Sequence, residues 1–203
     1  MPASTPKLIL AVTLLSVTSL AVDIANAGAR PRSGNSVHRT TTHTGPQGNT
    51  STRVHDRTVT DNGFNSSTSV TGPNGKTATR EQTGAYDAST GTWTRNATST
   101  GPNDKTASTN VVAQKTEDGY TRDVTRTGPN GKTATSSAEV VKTDTGYTRD
   151  VARTGPNGNT TTIAASGNYD AATGTYTQER TKSLPNGETS STTRTVTKTP
   201  AQP

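Results

Sequence analysis

A seven-residue phrase, Thr-Gly-Pro-Asn-Gly-Lys-Thr or a close variant, recurs along this chain and sets its period. Copies begin at Thr44, Thr71, Thr100, Thr127 and Thr154, and a sixth is degraded to Ser183-Leu184-Pro185-Asn186-Gly187. Measured from Gly45 through Gly72, Gly101, Gly128, Gly155 and Leu184, the steps are 27, 29, 27, 27 and 29 residues. A second marker keeps stricter phase: Phe64, Trp93, Tyr120, Tyr147 and Tyr176 each stand eight residues before the second position of the next copy. Self-similarity at such a period means that one small structural unit is copied along the chain.

The punctuation within each unit has turn chemistry. Pro73 presets φ for the first central position of a turn, and Asn74-Gly75 tolerates positive φ. Between those phrases lie Asp61-Asn62-Gly63, Glu117-Asp118-Gly119 and Asp144-Thr145-Gly146, which suit tight hairpins. The two long repeats read Tyr86-Asp87-Ala88-Ser89-Thr90-Gly91 and Tyr169-Asp170-Ala171-Ala172-Thr173-Gly174 at that place. An insertion of two residues leaves every side chain on its original sheet face, whereas one residue would flip them all. No apolar stripe of helical period survives between the Pro and Gly positions. The expectation is an all-β chain of about eleven strands, roughly 7–11 residues each. Tight turns favour an elongated antiparallel meander. A β-solenoid that stacks the five aromatics in one column is the alternative architecture.

Composition restricts the core. From Gly28 onward the large apolar residues are few, mostly Val and Tyr with single Ile, Leu, Trp and Phe residues, and the chain has no cysteine to staple a thin fold. Such poverty is also the signature of disorder as a monomer, a third possible state. Against it stand a modest net charge of +6 and 46 threonines, whose β-branching favours extended backbone. The chain opens as an export signal. Lys7 precedes an apolar run from Leu8 to Val22, and Ala25-Asn26-Ala27 supplies the cleavage pattern. The run is short and interrupted for a bilayer span, so no membrane span is expected after cleavage. The expected organisation is a signal peptide at 1–27, an N-terminal segment and first strand at 28–43, five tandem β-hairpin repeats at 44–183, and a degraded terminal repeat and tail at 184–203. Localisation is expected to be secreted: periplasmic, cell-surface or extracellular.

Catalytic chemistry finds no foothold. There is no nucleophile elbow, and a thin ribbon leaves little room for a pocket. His38, His43 and His55 are read as solvated, because His38 and His43, five apart, do not share a strand face. The turn carboxylates Asp61, Asp87, Asp118, Asp144 and Asp170 lack the D-x-D-x-D-G spacing of a calcium loop and are read as turn-capping residues. Neither an enzyme, a metal nor a cofactor is expected. The T-x-T units, such as Thr77/Thr79 and Thr193 to Thr199, do not hold a single phase and are read as strand propensity. The candidate interaction stripe is Phe64, Trp93/Arg95, Tyr120/Arg122, Tyr147/Arg149 and Tyr176, where an aromatic and a guanidinium two residues apart share a face. Such a stripe suits a polyanion, acidic polysaccharide or lipopolysaccharide before nucleic acid. The plainer reading is cross-strand pairing of those arginines with Asp and Glu, since Asp123 and Asp150 accompany the same strands.

The segments from Tyr86-Asp87 to Thr94 and from Tyr169-Asp170 to Thr177, each followed by a copy of the turn phrase, resemble bacterial YD (Rhs-type) repeats. That resemblance implies a secreted bacterial β-repeat, since such repeats build extended sheet shells of surface proteins and toxins. Gly91 and Gly174 come one position later than the pattern, and no Arg-Leu follows, so no role is carried over. The function expected is a non-enzymatic structural or interaction protein acting through a repeated sheet surface, with self-assembly through open edges as one mode. A polyanion-binding module is the alternative.

Overall fold

The computed structural model describes residues 34–197; the expected signal peptide and the end of the tail lie outside the described residues. Twelve strands follow in chain order: β1 (Ser36–Thr44), β2 (Thr50–Thr60), β3 (Gly63–Thr71), β4 (Thr77–Asp87), β5 (Thr92–Thr100) and β6 (Thr106–Lys115). The second half continues with β7 (Gly119–Thr127), β8 (Thr133–Lys142), β9 (Gly146–Thr154), β10 (Thr160–Asp170), β11 (Thr175–Ser183) and β12 (Thr189–Thr197). All are antiparallel to their neighbours, and the sheet order is the chain order from β1 to β12. The meander is therefore the architecture. A solenoid is excluded, because every strand pairs with the strand next to it in sequence. The described residues form twelve strands rather than about eleven, since the degraded sixth phrase still turns the chain back into β12.

The Pro-Asn phrase closes one rim with an identical five-residue connection each time. Gly75 N–H donates to Gly72 C=O at 3.0 Å, and Gly72 N–H to Lys76 C=O at 2.9 Å. Gly75 has φ +74°, as do its counterparts Gly48, Gly131, Gly158 and Gly187 in the same region. This is a turn followed by a left-handed residue, the usual long-hairpin solution. Asn74 does not take the positive φ; its Oδ1 accepts the Lys76 N–H at 3.2 Å, as Asn130 does for Lys132. In the third phrase Asp104 replaces glycine and is the one non-glycine with positive φ among the described residues. Lysines tie turn to turn along this rim, Lys76 Nζ donating to Asn103 at 3.3 Å and Lys132 Nζ to Asn157 at 3.4 Å.

On the opposite rim the loops have two or four residues beyond the last facing pair, since Thr116 still bonds Gly119 and Thr143 still bonds Gly146 past the ends of β6 and β8. Thr60 pairs with Gly63, so Asp61-Asn62 alone makes the loop, and the glycine is already in the strand. Its role differs from that of a turn glycine. A Cβ on Gly63, Gly119 or Gly146 would lie 1.8 Å from the carbonyl oxygen of Gly84, Val140 or Gly167. The next strand's backbone needs that space. In the long repeats Asp87 Oδ1 accepts from Ser89 N–H at 2.9 Å and Ser89 Oγ at 2.6 Å, and Asp170 accepts from Ala172 N–H and Thr173 Oγ1. These bonds hold both carboxyls below their ordinary range, led by the Ser89 and Thr173 hydroxyls. The capping expected of turn carboxylates is seen at these two.

The buried apolar side chains are small and few: Ala97, Val111, Ala113, Val124, Val151 and Ile163. No large side chain is fully buried among the described residues. The fold rests on its ladders and cross-strand contacts rather than on a thick core.

Two predictions follow from the rims. Gly119→Ala should cost about 1–3 kcal/mol in urea unfolding, because the clash is with backbone. Gly131→Ala, open in space and strained only in φ, should cost about 1 kcal/mol, while Asp104→Gly should stabilise. For the depressed carboxyls, the folded pKa lies below the unfolded one, so their stabilisation is full above about pH 4 and lost as pH falls further. Unfolding followed across the acid range should show less acid-induced loss in Asp87→Asn/Asp170→Asn than in the parent.

Candidate interaction face

Residues paired across an antiparallel sheet point the same way, so the registers assign each side chain to a face. Trp93 and Arg95 share their face with Gly84 and Tyr86 on β4 and with Val111 and Ala113 on β6. Following the pairs to both edges, every Arg and Lys of the twelve strands falls on that face: Arg39, Arg53 and Arg57, then Arg80, Arg95 and Lys115, then Arg122, Arg126, Lys142, Arg149 and Arg153, and finally Arg180, Lys182 and Arg194. Every strand Asp and Glu falls on the other: Asp56, Glu81, Asp87, Asp123, Glu139, Asp150, Asp170 and Glu179. The cationic face also holds all the aromatics and all the buried apolar residues. The acidic face holds most of the strand threonines.

Each repeat is offset so that a row running across the strands reads aromatic, small residue, cation. Phe64, Gly84 and Arg95 form one such row; Trp93, Ala113 and Arg122 the next; Tyr120, Val140 and Arg149 the third. Successive arginines of this set are two strands apart, about 10 Å across the sheet. The five aromatics thus form a staggered diagonal rather than one column. Over the glycines the rings close in. Phe64 and Trp93 stack with centroids 6.2 Å apart, and a Cβ on Gly84 would come within 2.5 Å of Phe64 and 2.8 Å of Trp93. Gly167 lies likewise beneath Tyr147 and Tyr176. The Tyr176 hydroxyl is pushed up in pKa, first by its hydrogen bond with Tyr147. Gln178 Nε2 also donates to the Tyr147 hydroxyl, at 2.8 Å.

Arg95 is the centre of this face. Its Nη2 donates to Gln82 Oε1, while its Nε is shielded from solvent and has no hydrogen-bond partner. Arg57 lies over the Phe64 ring at 4.3 Å. Burial first, and then the positive charges of Arg80, Arg122 and Arg57, lower the Arg95 pKa. The cations repel one another with no carboxylate between them.

The cross-strand pairing of these arginines with Asp and Glu does not occur: every strand carboxylate, Asp123 and Asp150 included, lies on the opposite face. On the acidic face the His38 ring hydrogen-bonds the Asp56 carboxyl through Nδ1, both side chains exposed. His38 is therefore engaged rather than merely solvated, and His55 Nδ1 bonds Thr68 Oγ1 at 2.8 Å on the cationic face. On the acidic face hydroxyls bond across strands, Thr71 to Thr77 at 2.9 Å and Thr154 to Thr160 at 2.8 Å, and Asn110 donates to Asn96 at 2.7 Å. Glu139 stands directly opposite Asp150 there. The T-x-T units that lack a common phase in sequence thus do share a face: Ser36, Thr58, Asn65, Thr83, Asn96, Asn110, Thr125, Thr135, Thr154 and Thr160 make one unbroken polar row from β1 to β10.

The register brings the sequence-derived stripe onto one face and adds Arg57, Arg80 and Gln82, which single-strand reading missed. Counting alternate residues outward from each turn would have found them. Among the described residues no group of three or more His, Asp or Glu side chains could hold a metal. Comparison with protein families, with curated proteins and with solved structures finds no match. The fold and this face define the chain as a single-sheet β-repeat with a cationic, aromatic side and an acidic, threonine-rich side.

Arg95→Met removes an unpartnered buried Nε and relieves like-charge crowding while keeping an apolar stem opposite Val111. Its unfolding free energy should fall no more than about 0.5 kcal/mol below the parent's. A larger loss would mark Arg95 as a structural residue.

Proposed function

We propose that this protein is a secreted, non-enzymatic interaction protein of the cell surface, periplasm or extracellular matrix, and that its cationic sheet face holds an extended polyanion. One observation carries the reading: the strand cations are gathered on one face that offers them no carboxylate. Opposite charges set across from each other stabilise a sheet, and like charges destabilise it. A fold selected for stability alone would intersperse them. Aromatic rings between the guanidiniums add flat apolar contacts that suit sugar rings, and the regular spacing suits a ligand with repeated charge. Acidic polysaccharide and lipopolysaccharide are the ligand classes favoured. Export rests on the N-terminal segment, with its apolar run and the Ala25-Asn26-Ala27 pattern.

Binding of sulfated dextran and of lipopolysaccharide, followed by titration over a salt series, tests this. Affinity should fall steeply with salt. Arg95→Gln/Arg122→Gln/Arg149→Gln should weaken binding by about tenfold or more at low salt and flatten the salt dependence. Thr94→Glu/Thr121→Glu/Thr148→Glu changes net charge equally but on the other face, with the sheet between, and should weaken binding far less. Equal weakening by the two triple variants would reduce the interaction to net charge and overturn the proposal.

A further inference from the structure

The two edge strands, β1 and β12, are nine residues long, exposed throughout and free of proline. Each carries one arginine, Arg39 or Arg194, and no lysine or carboxylate, so the usual devices that blunt an edge are sparse. The repeat phase says what each edge fits. At all five internal junctions from an even strand to the next odd strand, the residue twelve places after the phrase's first turn position (Gly45, Gly72 and so on) pairs with the residue six before the next such position. Arg57 thus pairs with Ser66, Gly84 with Arg95, Ala113 with Arg122, Val140 with Arg149 and Gly167 with Gln178. In β12 the first of these places is Val196; in β1 the second is Arg39. Both lie on the cationic face.

We propose that β12 of one molecule pairs antiparallel with β1 of a second copy in this same phase, with Val196 opposite Arg39, Arg194 opposite Thr41 and Thr192 opposite His43. The register places no charge opposite a like charge. It brings Val196 diagonally beside Val37, two apolar side chains that are 48% and 56% exposed at the free edges. It also carries the cationic face of one copy into that of the next. The contact is head to tail, so it repeats from copy to copy instead of closing as a two-fold dimer.

The absence of native cysteine makes the register directly testable. At the internal β8–β9 junction Thr143 and Gly146 exchange both backbone hydrogen bonds, at 2.9 and 3.4 Å, which leaves the cationic-face pairs at the close, non-hydrogen-bonded positions that suit a disulfide. Purified Thr192→Cys protein mixed with His43→Cys protein under mild oxidation should form cross-linked dimers about tenfold faster than Thr192→Cys mixed with Thr41→Cys. Neither His43→Cys nor Thr192→Cys alone should match that rate. Sedimentation should show mass rising with concentration, and Val196→Lys, which sets an ammonium opposite the second copy's Arg39, should weaken that association by about tenfold while leaving the unfolding transition in place. Equal rates in all mixtures, faster cross-linking of either single variant, or a monomer at every concentration would overturn the proposal.

Discussion

Alternation is the constraint on which everything else in this sheet depends. A strand sends successive side chains to opposite faces, so the length of each connection decides where all later side chains point. On the Pro-Asn rim every connection spans five residues, from Gly45–Asn49 to Leu184–Glu188. On the other rim, beyond the last facing pair, the connections are 61–62, 117–118 and 144–145 or, in the long repeats, 88–91 and 171–174. Lengths change only by two. A single inserted residue anywhere would send the arginines beyond it among the carboxylates.

With that alternation in place, little else is needed to hold the chain extended. Threonine covers the acidic face, where β-branching stiffens the strand and hydroxyls bond their cross-strand neighbours. On the cationic face, residues too small to shield themselves lie beneath long ones. Gly84 lies beneath Phe64 and Trp93, and Val111 and Val124 lie in the row of Arg95. Guanidinium stems and rings thus do the covering that a second layer does in a sandwich, while their polar ends stay wet. The glycines are as necessary as the aromatics, because a Cβ at Gly84 or Gly167 would occupy the place of a ring.

Most of this fold was legible before any coordinates. The phase of Phe64, Trp93, Tyr120, Tyr147 and Tyr176 against the turn phrase implied strands, and even insertions implied a conserved face. What resisted reading was any feature set by two strands at once. Asp123 and Asp150 accompany Arg122 and Arg149 on their strands and suggest cross-strand ion pairs; the pleat puts the two charges on opposite faces. Gly63 looked like a turn residue because it follows Asp61-Asn62, yet its reason is the carbonyl of Gly84, twenty-one residues away. The degraded phrase at Leu184 looked like an end, but the Asn186 and Gly187 that remain still make the turn. Asn186 Oδ1 bonds the Glu188 N–H at 3.1 Å, as its counterparts do.

The separation of charge is the part of the structure that stability does not explain. Glu139 faces Asp150 across β8 and β9, and Arg95 is crowded by Arg57, Arg80 and Arg122, when exchanging a few residues between faces would convert both repulsions into attractions. Each repulsion is small, yet the sorting of cations to one face and carboxylates to the other recurs in repeat after repeat, so it belongs to the unit that was copied. A face built this way gains by repetition. The proposed polyanion, held at one row, would meet the next about 10 Å on, at high effective concentration and without a second diffusional encounter. Continuation of the sheet across β12 and β1 would extend the same advantage past the end of one chain, because the pairing that joins two copies also keeps their arginines on a common side.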